Sequence, residues 1–406
     1  MKTTSLLRAF ALILVTFAPT LLPAADFVSG SDGSNGALNI TANTLLPLPA
    51  DGILKYTTIT VASGATLTFA RNALNTPVHL LATGDVQISG TIDVSSTAPA
   101  DGNGRLVGGT GGPGGYDGGA SGYISPGNTR QAGSGQGPGA GKRGPNGSNG
   151  SGSYATKGNT GRGENGSVYG NALLIPLVGG SGGGGGDGAD GIFGGGGGGA
   201  VLIASNTKIN VTGTIRADAT AGTPGVGSGG AIRLVSPRVY GTGLLSASST
   251  NSWGGAGRLR VDSVIKVEPG DITQKLALSY NGSITIGSTL VVFAPNNPRL
   301  DIIAINDENN NLLQAIPQGT QGPVTVTLPS GTGFNVKIVV AAQGFRADNT
   351  INTVNVNVAV IPESGTSVIY NGSITGTVGL AGSASGIAAQ IPPNVKCILQ
   401  VWSPQL

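Results

Sequence analysis

The sequence lacks most of the side chains that enzymes use for metal binding and nucleophilic catalysis. Its 406 residues include one histidine, His79, and one cysteine, Cys397. Zinc, haem and iron–sulfur sites of ordinary composition need several such ligands and are therefore excluded. A lone cysteine also excludes an intramolecular disulfide. We expect Cys397 to be a small hydrophobe of the last strand and His79 a solvent-facing structural residue.

Charged residues are equally scarce. They make up 10% of the chain, and the net charge is +3. We find no Lys/Arg cluster and no basic stripe interleaved with aromatics, so nucleic acid is not an expected partner. The carboxylates are mostly isolated, whereas glycoside hydrolases need a pair and calcium-dependent lyases a cluster. The sequence predicts a protein that is not an enzyme, and we assign no catalytic residue.

The first 25 residues have the pattern of a secretory signal peptide. Lys2 and Arg8 precede an apolar run at 9–15, and small residues at 22–25 end the segment. The run is too short to span a bilayer, and no second long apolar stretch follows. We therefore expect a mature chain of about 380 residues without a membrane span, secreted to the extracellular space, with the periplasm and the cell surface as open possibilities.

Short runs in which Val, Ile and Thr alternate with polar residues predict an all-β protein. An internal repeat organises these runs, since segment 78–94 is echoed by 201–217, more loosely by 232–247, and in part by 259–262. Repeats that each bury one face by stacking on the next are typical of a β-solenoid. We predict a right-handed parallel β-helix over residues 26–268, with its coils within 38–268, interrupted by a glycine-rich insertion at 98–199.

The repeat also predicts which side chains lie side by side on neighbouring coils. Asp85 falls opposite Lys208, and Asp93 opposite Arg216, at the same offset of 123 residues. Stacked coils would place these pairs about 5 Å apart on the outer surface. A further outward column is expected to contain His79, Leu202, Arg233 and Arg260.

The pattern changes towards the C-terminus. Strict alternation in 354–360 and about seven predicted strands in 295–406 indicate an immunoglobulin- or fibronectin-like β-sandwich. Residues 269–294 are predicted to join the two domains. The hexapeptide YNGSIT occurs at 280–285 and again at 370–375. Its Asn-Gly pair predicts a hairpin turn at both places, and we favour convergence on the same turn over a duplicated domain.

The insertion holds 41 of the 73 glycines between residues 101 and 200, including polyglycine runs at 182–186 and 194–199. Two interpretations are open for 101–170, and we favour a solvated, disordered loop over an adaptable recognition surface. In the second interpretation the binding candidates are Tyr116, Tyr123, Tyr154 and Tyr169. For 179–200 we expect order, with packed polyglycine helices as one form it could take.

Asp187 and Asp190 resemble the start of a calcium loop but supply only two carboxylates. Calcium is therefore the only cofactor that the sequence leaves open, and these two residues are its candidate ligands.

Several motifs resemble those of a class of secreted bacterial glycine-rich proteins that have a C-terminal immunoglobulin-like sandwich. The motifs are TITV at 58–61, GATLTF at 64–69, VHLLATGDVQISGTI at 78–92, GGAIRLV at 229–235 and VTLPSG at 326–331. At fold level the chain resembles the pectin-lyase-like superfamily of right-handed parallel β-helices, which includes enzymes and adhesins. The resemblance implies a fold but no activity, because the enzymes' catalytic carboxylates and basic residues have no counterparts here.

These observations predict an exported, non-enzymatic cell-surface or extracellular protein with a role in adhesion, matrix or glycan binding. Polysaccharide or another cell-surface component is the expected partner. One alternative is a carbohydrate-active enzyme, a lyase or hydrolase, with its site on the β-helix face. A second is an ice-binding or surface-ordering protein.

Overall fold

Val, Ile, Leu and Thr alternate with polar residues in most segments, and these segments form strands. The computed structural model describes residues 27–122, 124–125, 128–129, 131–144, 149–159, 163–187, 191–222, 225–268, 271–293, 299–320, 324–332, 334–345, 351–362, 368–377 and 383–403. In these residues the chain is nearly all β, as predicted, with one short 3-10 turn at Thr250–Ser252. None of their helical segments has the length and hydropathy to cross a bilayer.

The first part of the chain forms three parallel sheets, named here A, B and C, with strands numbered in chain order. Sheet A contains β1 (Leu38–Ile40), β4 (Ile59–Val61), β7 (Val86–Ile88), β12 (Lys208–Val211) and β15 (Arg238–Tyr240). Sheet B contains β2 (Thr44–Pro47), β5 (Thr66–Ala70), β8 (Thr91–Asp93), β13 (Thr214–Arg216), β16 (Leu244–Ser246) and β20 (Ser279–Asn281). Sheet C contains β3 (Ile53–Tyr56), β6 (Val78–Ala82), β11 (Ala200–Ser205), β14 (Ala231–Val235), β17 (Arg258–Asp262) and β21 (Ser283–Gly287).

The chain visits the three sheets in rotation, and each visit adds a strand beside the previous one. Inward-facing side chains of all three sheets form one apolar cluster, which includes the fully buried Ile59, Leu67 and Leu80. The parallel pairing continues through β20 and β21. It therefore extends into residues 269–294, which the sequence predicted as a joint. Two short antiparallel pairs lie outside the three sheets, β9 (Ile124–Ser125) with β10 (Asn128–Thr129), and β18 (Val267–Glu268) with β19 (Asp271–Lys275).

The predicted register between the repeats is confirmed. β11 pairs with β6, β12 with β7 and β13 with β8, all at an offset of 123 residues. Lys208 Nζ lies 3.5 Å from Asp85 Oδ2. Arg216 is directly opposite Asp93, but its Nε contacts Asp218 at 3.2 Å instead.

The outward column on sheet C also has the predicted members, because Leu202 pairs with both His79 and Arg233, and Arg233 pairs with Arg260. His79 lies on the outer face as expected, but it is only partly exposed. Its ring packs against Phe293, with 5.3 Å between ring centroids.

A buried charge cluster holds the segment that follows β21 against sheet C. Arg233 and Asp262 are fully buried and 3.1 Å apart, and Arg260 binds the same carboxylate at 2.7 Å. The Arg233 guanidinium also donates to the carbonyls of Val291 and Val292 at 2.5 and 3.2 Å. The segment 288–293 is thereby held over the outer face of sheet C.

The C-terminal part forms two four-stranded antiparallel sheets, named D and E. Sheet D contains β22 (Arg299–Asn306), β23 (Leu312–Thr320), β25 (Asn335–Gln343) and β28 (Ser383–Gln390). Sheet E contains β24 (Val324–Val326), β26 (Ile351–Pro362), β27 (Val368–Thr377) and β29 (Cys397–Trp402). Residues of both sheets share one apolar core, to which Ile338 and Val358 belong.

Neither predicted hairpin turn is found. Asn281 ends β20 and Gly282 precedes β21, which belongs to a different sheet, and Asn371 and Gly372 both lie inside β27. A Cβ at Gly372 would overlap Cδ1 of Ile387, which belongs to β28 of the facing sheet. Glycine at this position leaves room for the Ile387 side chain across the core.

The described part of the glycine-rich insertion is ordered, which corrects the expectation of a disordered loop at 101–170. Its extended segments are joined by backbone hydrogen bonds that do not follow a sheet pattern. The backbone groups of 179–186 bond to residues in seven other stretches, at 114–122, 133–136, 141, 150, 192, 195–198 and 228. A strand bonds to at most two neighbours, whereas extended helices with three residues per turn direct their backbone groups all around the axis. We call this array, which consists of the described residues of the insertion at 98–199, the glycine bundle.

The glycine bundle continues directly from the loops that connect sheet B to sheet C. The Gly199 amide donates to the Val94 carbonyl at 2.9 Å, and the Gly198 amide to the Ser228 carbonyl at 2.9 Å. The absence of side chains is what permits this packing. A Cβ at Gly118, for example, would overlap the carbonyl of Gly194.

Candidate binding cleft

The outer face of sheet E rests on the glycine bundle. Ala359, Ile361, Ile398 and Trp402 of sheet E form an apolar cluster with Tyr116 of the bundle. The rings of Tyr116 and Trp402 meet edge to face at 6.4 Å between centroids. An apolar contact thus joins the C-terminal sheets to the bundle.

A chain of polar contacts crosses the same junction. Asp117 of the bundle is ion-paired with Arg71, which follows β5. Its other carboxylate oxygen accepts a hydrogen bond of 2.7 Å from Gln400 Nε2 of β29. Asp117 and Gln400 are both buried. Because a buried carboxylate is costly unless it is paired, these partners fix the position of sheet E on the bundle.

On the outer face of sheet E, the rows of paired residues become more polar with distance from the junction. Ala359 lies between Gln400 and Ile369, and the next row is Trp402, Asn357 and Asn371. The row after that pairs Asn355 with Ser373, and both are exposed. The row of Asn357 and Asn371 therefore marks the boundary between covered and open surface.

A cleft of about 350 Å³ opens at this boundary, and we call it the junction cleft. One wall comes from sheet E and the other from the glycine bundle. Its polar lining consists of Lys142, Glu164, Asn165, Ser167, Asn357 and Asn371. Pro138, Ala140, Ile369 and Trp402 add a smaller area of apolar surface. The volume is at the lower end of the range for small-molecule sites.

Three of the four candidate tyrosines lie inside the glycine bundle. Tyr154 and Tyr169 stack at 4.6 Å, and the Arg258 guanidinium lies 5.3 Å from the Tyr154 ring centroid. Their hydroxyls donate to the carbonyls of Val178 and Gly179 at 2.7 and 2.6 Å. Burial raises the pKa of both phenols, and that of Tyr116, above the ordinary value.

These rings are at most 8% exposed. They pack the bundle and would have to be uncovered before they could contact a ligand. The fourth candidate, Tyr123, lies outside the described residues.

The candidate calcium ligand Asp187 is engaged in protein contacts. One of its oxygens is 3.3 Å from Arg143 Nη1, and the other accepts the Ala132 amide at 2.5 Å. Asp190 lies outside the described residues. In the part of the chain that the structure describes, no group of three or more His, Cys, Asp or Glu side chains is placed to hold a metal ion.

The two residues that the sequence singled out by rarity are both structural in this arrangement. Desolvation by burial lowers the pKa of His79 to about 4, so the ring is neutral at pH 7. Burial raises the pKa of the Cys397 thiol to about 11, so the thiolate is not populated at that pH. Neither group is prepared for nucleophilic or acid–base chemistry at neutral pH.

Sequence reasoning did not identify the residues of the junction cleft. The alternation Val354-Asn-Val-Asn-Val358 does place Asn355 and Asn357 on the outer face of their strand. It contains no sign that the glycine bundle covers one end of that face and leaves the other open.

Comparison with protein-family models, with curated proteins and with solved structures found no match to this chain.

Proposed function

We propose that this protein is an exported, non-enzymatic scaffold of the cell surface or extracellular matrix that binds glycans at the junction cleft. In this proposal the three parallel sheets are the coils of a right-handed parallel β-helix, and sheets D and E form an immunoglobulin-like sandwich. The rotation of the chain through sheets A, B and C supports the first part. The core shared by sheets D and E supports the second.

The observation that carries the proposal is the lining of the junction cleft. It combines side-chain amides, a hydroxyl, a carboxylate and an ammonium with a patch of apolar surface. Sugars present the same combination, because hydroxyl groups surround a ring whose C–H bonds are apolar. Polar groups placed in a partly apolar cleft are what orients a small ligand.

Ion pairs support a binding role over a catalytic one. Asp262 is held by two arginines, Asp117 by Arg71 and Asp187 by Arg143. A carboxylate held in this way contributes to the fold, and its oxygens are already occupied by protein partners. The leader pattern at 1–25, which lies outside the described residues, supports the export part of the proposal.

The proposal is tested with the full-length mature protein on an array of neutral, acidic and amino-sugar oligosaccharides. We expect binding to a subset of glycans and no change in their covalent structure. Failure to bind any glycan would contradict the proposed function. Release of unsaturated or newly reducing sugar products would show that the protein is an enzyme.

A deletion of residues 101–199 is not a suitable control for this experiment. The glycine bundle shares backbone hydrogen bonds with the loops of the coils, such as that from Gly199 to Val94, and its removal would expose them. Point substitutions in the cleft leave this framework intact.

A further inference from the structure

We propose that the junction cleft takes one neutral pyranose residue, held by the side-chain amides of Asn357 and Asn371. This inference rests on the glycan-binding function proposed above. It goes further by naming the contact residues, the chemical class of the ligand and the effect of binding on the junction.

Asn357 and Asn371 are neighbours on adjacent strands. They are directly opposite each other in the pairing of β26 with β27, and Trp402 is opposite Asn357 on the other side. Opposite residues on antiparallel strands have Cβ atoms about 5 Å apart. Each amide offers two N–H donors and one carbonyl acceptor. Two such groups side by side match vicinal hydroxyls, each of which can donate and accept.

The packing of β26 directs Asn357 towards the cleft. Its neighbours Val356 and Val358 are buried in the core between sheets D and E, so the side chain of Asn357 points to the outer face. Asn357 is half-buried and Asn371 is exposed. The pair is therefore partly shielded from water on the side of the bundle and open on the other.

The opposite wall supplies an apolar surface and a balanced pair of charges. Pro138 and Ala140 add a small area of carbon surface beside the polar groups. Lys142 and Glu164 carry opposite charges on adjacent segments, with a backbone bond of 2.9 Å from the Lys142 amide to the Glu164 carbonyl. The carboxylate of an acidic sugar would be repelled by Glu164 about as strongly as it is attracted by Lys142. Hydroxyl groups, not charge, therefore determine the fit.

The site is composite, since neither the bundle nor sheet E forms it alone. A ligand that contacts both walls binds only the docked arrangement and stabilises it by mass action. Binding of the sugar therefore strengthens the attachment of the C-terminal sheets to the bundle.

The test compares two matched double variants of the full-length mature chain. Asn357→Ala with Asn371→Ala removes both cleft amides. Asn355→Ala with Ser373→Ala removes the exposed pair in the next row of the same two strands, outside the cleft lining. Thermal unfolding without ligand verifies that both variants fold as the parent does.

Affinity is then measured calorimetrically for the strongest neutral oligosaccharide found on the array and for a uronic-acid oligosaccharide of equal length. We expect the cleft variant to lose at least about tenfold in affinity for the neutral sugar, as the loss of one or two hydrogen bonds implies. The control variant should bind like the parent. The neutral sugar should also raise the unfolding temperature of the parent and not that of the cleft variant.

Other results would overturn the inference in distinguishable ways. Equal binding of the neutral sugar by the parent and the cleft variant would exclude this site while leaving glycan binding in place. Tighter binding of the uronic-acid oligosaccharide would refute the ligand class. If no glycan binds the parent, both this inference and the proposed function fail.

Discussion

Gly183 offers a direct way to perturb the glycine bundle. Its amide donates to the Gly195 carbonyl at 2.9 Å, and its carbonyl accepts from the Gly119 amide at 2.8 Å. A Cβ at this position would overlap the backbone of Gly225 and approach the carbonyl of Val226 at 2.7 Å. All of these obstacles are main-chain atoms, which cannot rotate away as a side chain can.

The expected cost of Gly183→Ala follows from two contributions. Forcing a methyl group into a filled interior costs about 1–3 kcal/mol. The accompanying shift of the backbone weakens two hydrogen bonds, each worth about 1 kcal/mol net. We therefore expect the free energy of unfolding to fall by about 3–5 kcal/mol, measured by urea denaturation followed by circular dichroism.

Gly102→Ala is the matched control. Gly102 lies in the same insertion and has a φ of +71°, but a Cβ there has no atom within 4 Å. Only the strain of a left-handed alanine remains, about 1 kcal/mol. In a solvated loop, by contrast, either change would be neutral or slightly stabilising because alanine restricts the unfolded chain. A Gly183→Ala variant as stable as the parent would refute the packed bundle.

Three further predictions concern charged and titratable groups. Burial lowers the pKa of His79 to about 4 from 6.5, so the contribution of this residue to the free energy of unfolding is complete above pH 6.5 and is lost as the pH falls to 4, by about 3 kcal/mol at most. Urea titrations across this range should show the loss, and His79→Gln should reduce it. Asp262→Asn leaves the buried Arg233 without its carboxylate and should cost about 3–5 kcal/mol in unfolding free energy; an unchanged denaturation midpoint would contradict the buried pair. Asp85→Asn removes an exposed pair with Lys208 and should cost under about 1 kcal/mol, less at high salt; a larger loss would show that the pair is more than a surface contact.

The register between the repeats was predictable from the sequence because aligning two repeats shows which side chains lie opposite each other. Once segments 78–94 and 201–217 are aligned, the pairing of Asp85 with Lys208 follows from the offset alone. The packing of His79 against Phe293 did not follow, since Phe293 belongs to a later segment that folds back over sheet C.

The order of the glycine bundle could not be predicted in the same way. Glycine has no side chain, so a packed polyglycine segment and a flexible one have the same hydrophobic pattern. The difference lies in backbone hydrogen bonds between segments distant in sequence, such as Gly152 to Val226. The junction cleft depends on this order, because one of its walls is the bundle.

The central claim is that the glycine-rich insertion is an ordered bundle bound through its backbone, and amide hydrogen exchange tests it most directly. If the claim holds, amides in 179–186 and 194–199 exchange as slowly as those of the buried strand β11, because opening them requires loss of the packed structure. Exchange of these amides at the rate of an unstructured chain, while β11 stays protected, would contradict the bundle and the cleft built on it.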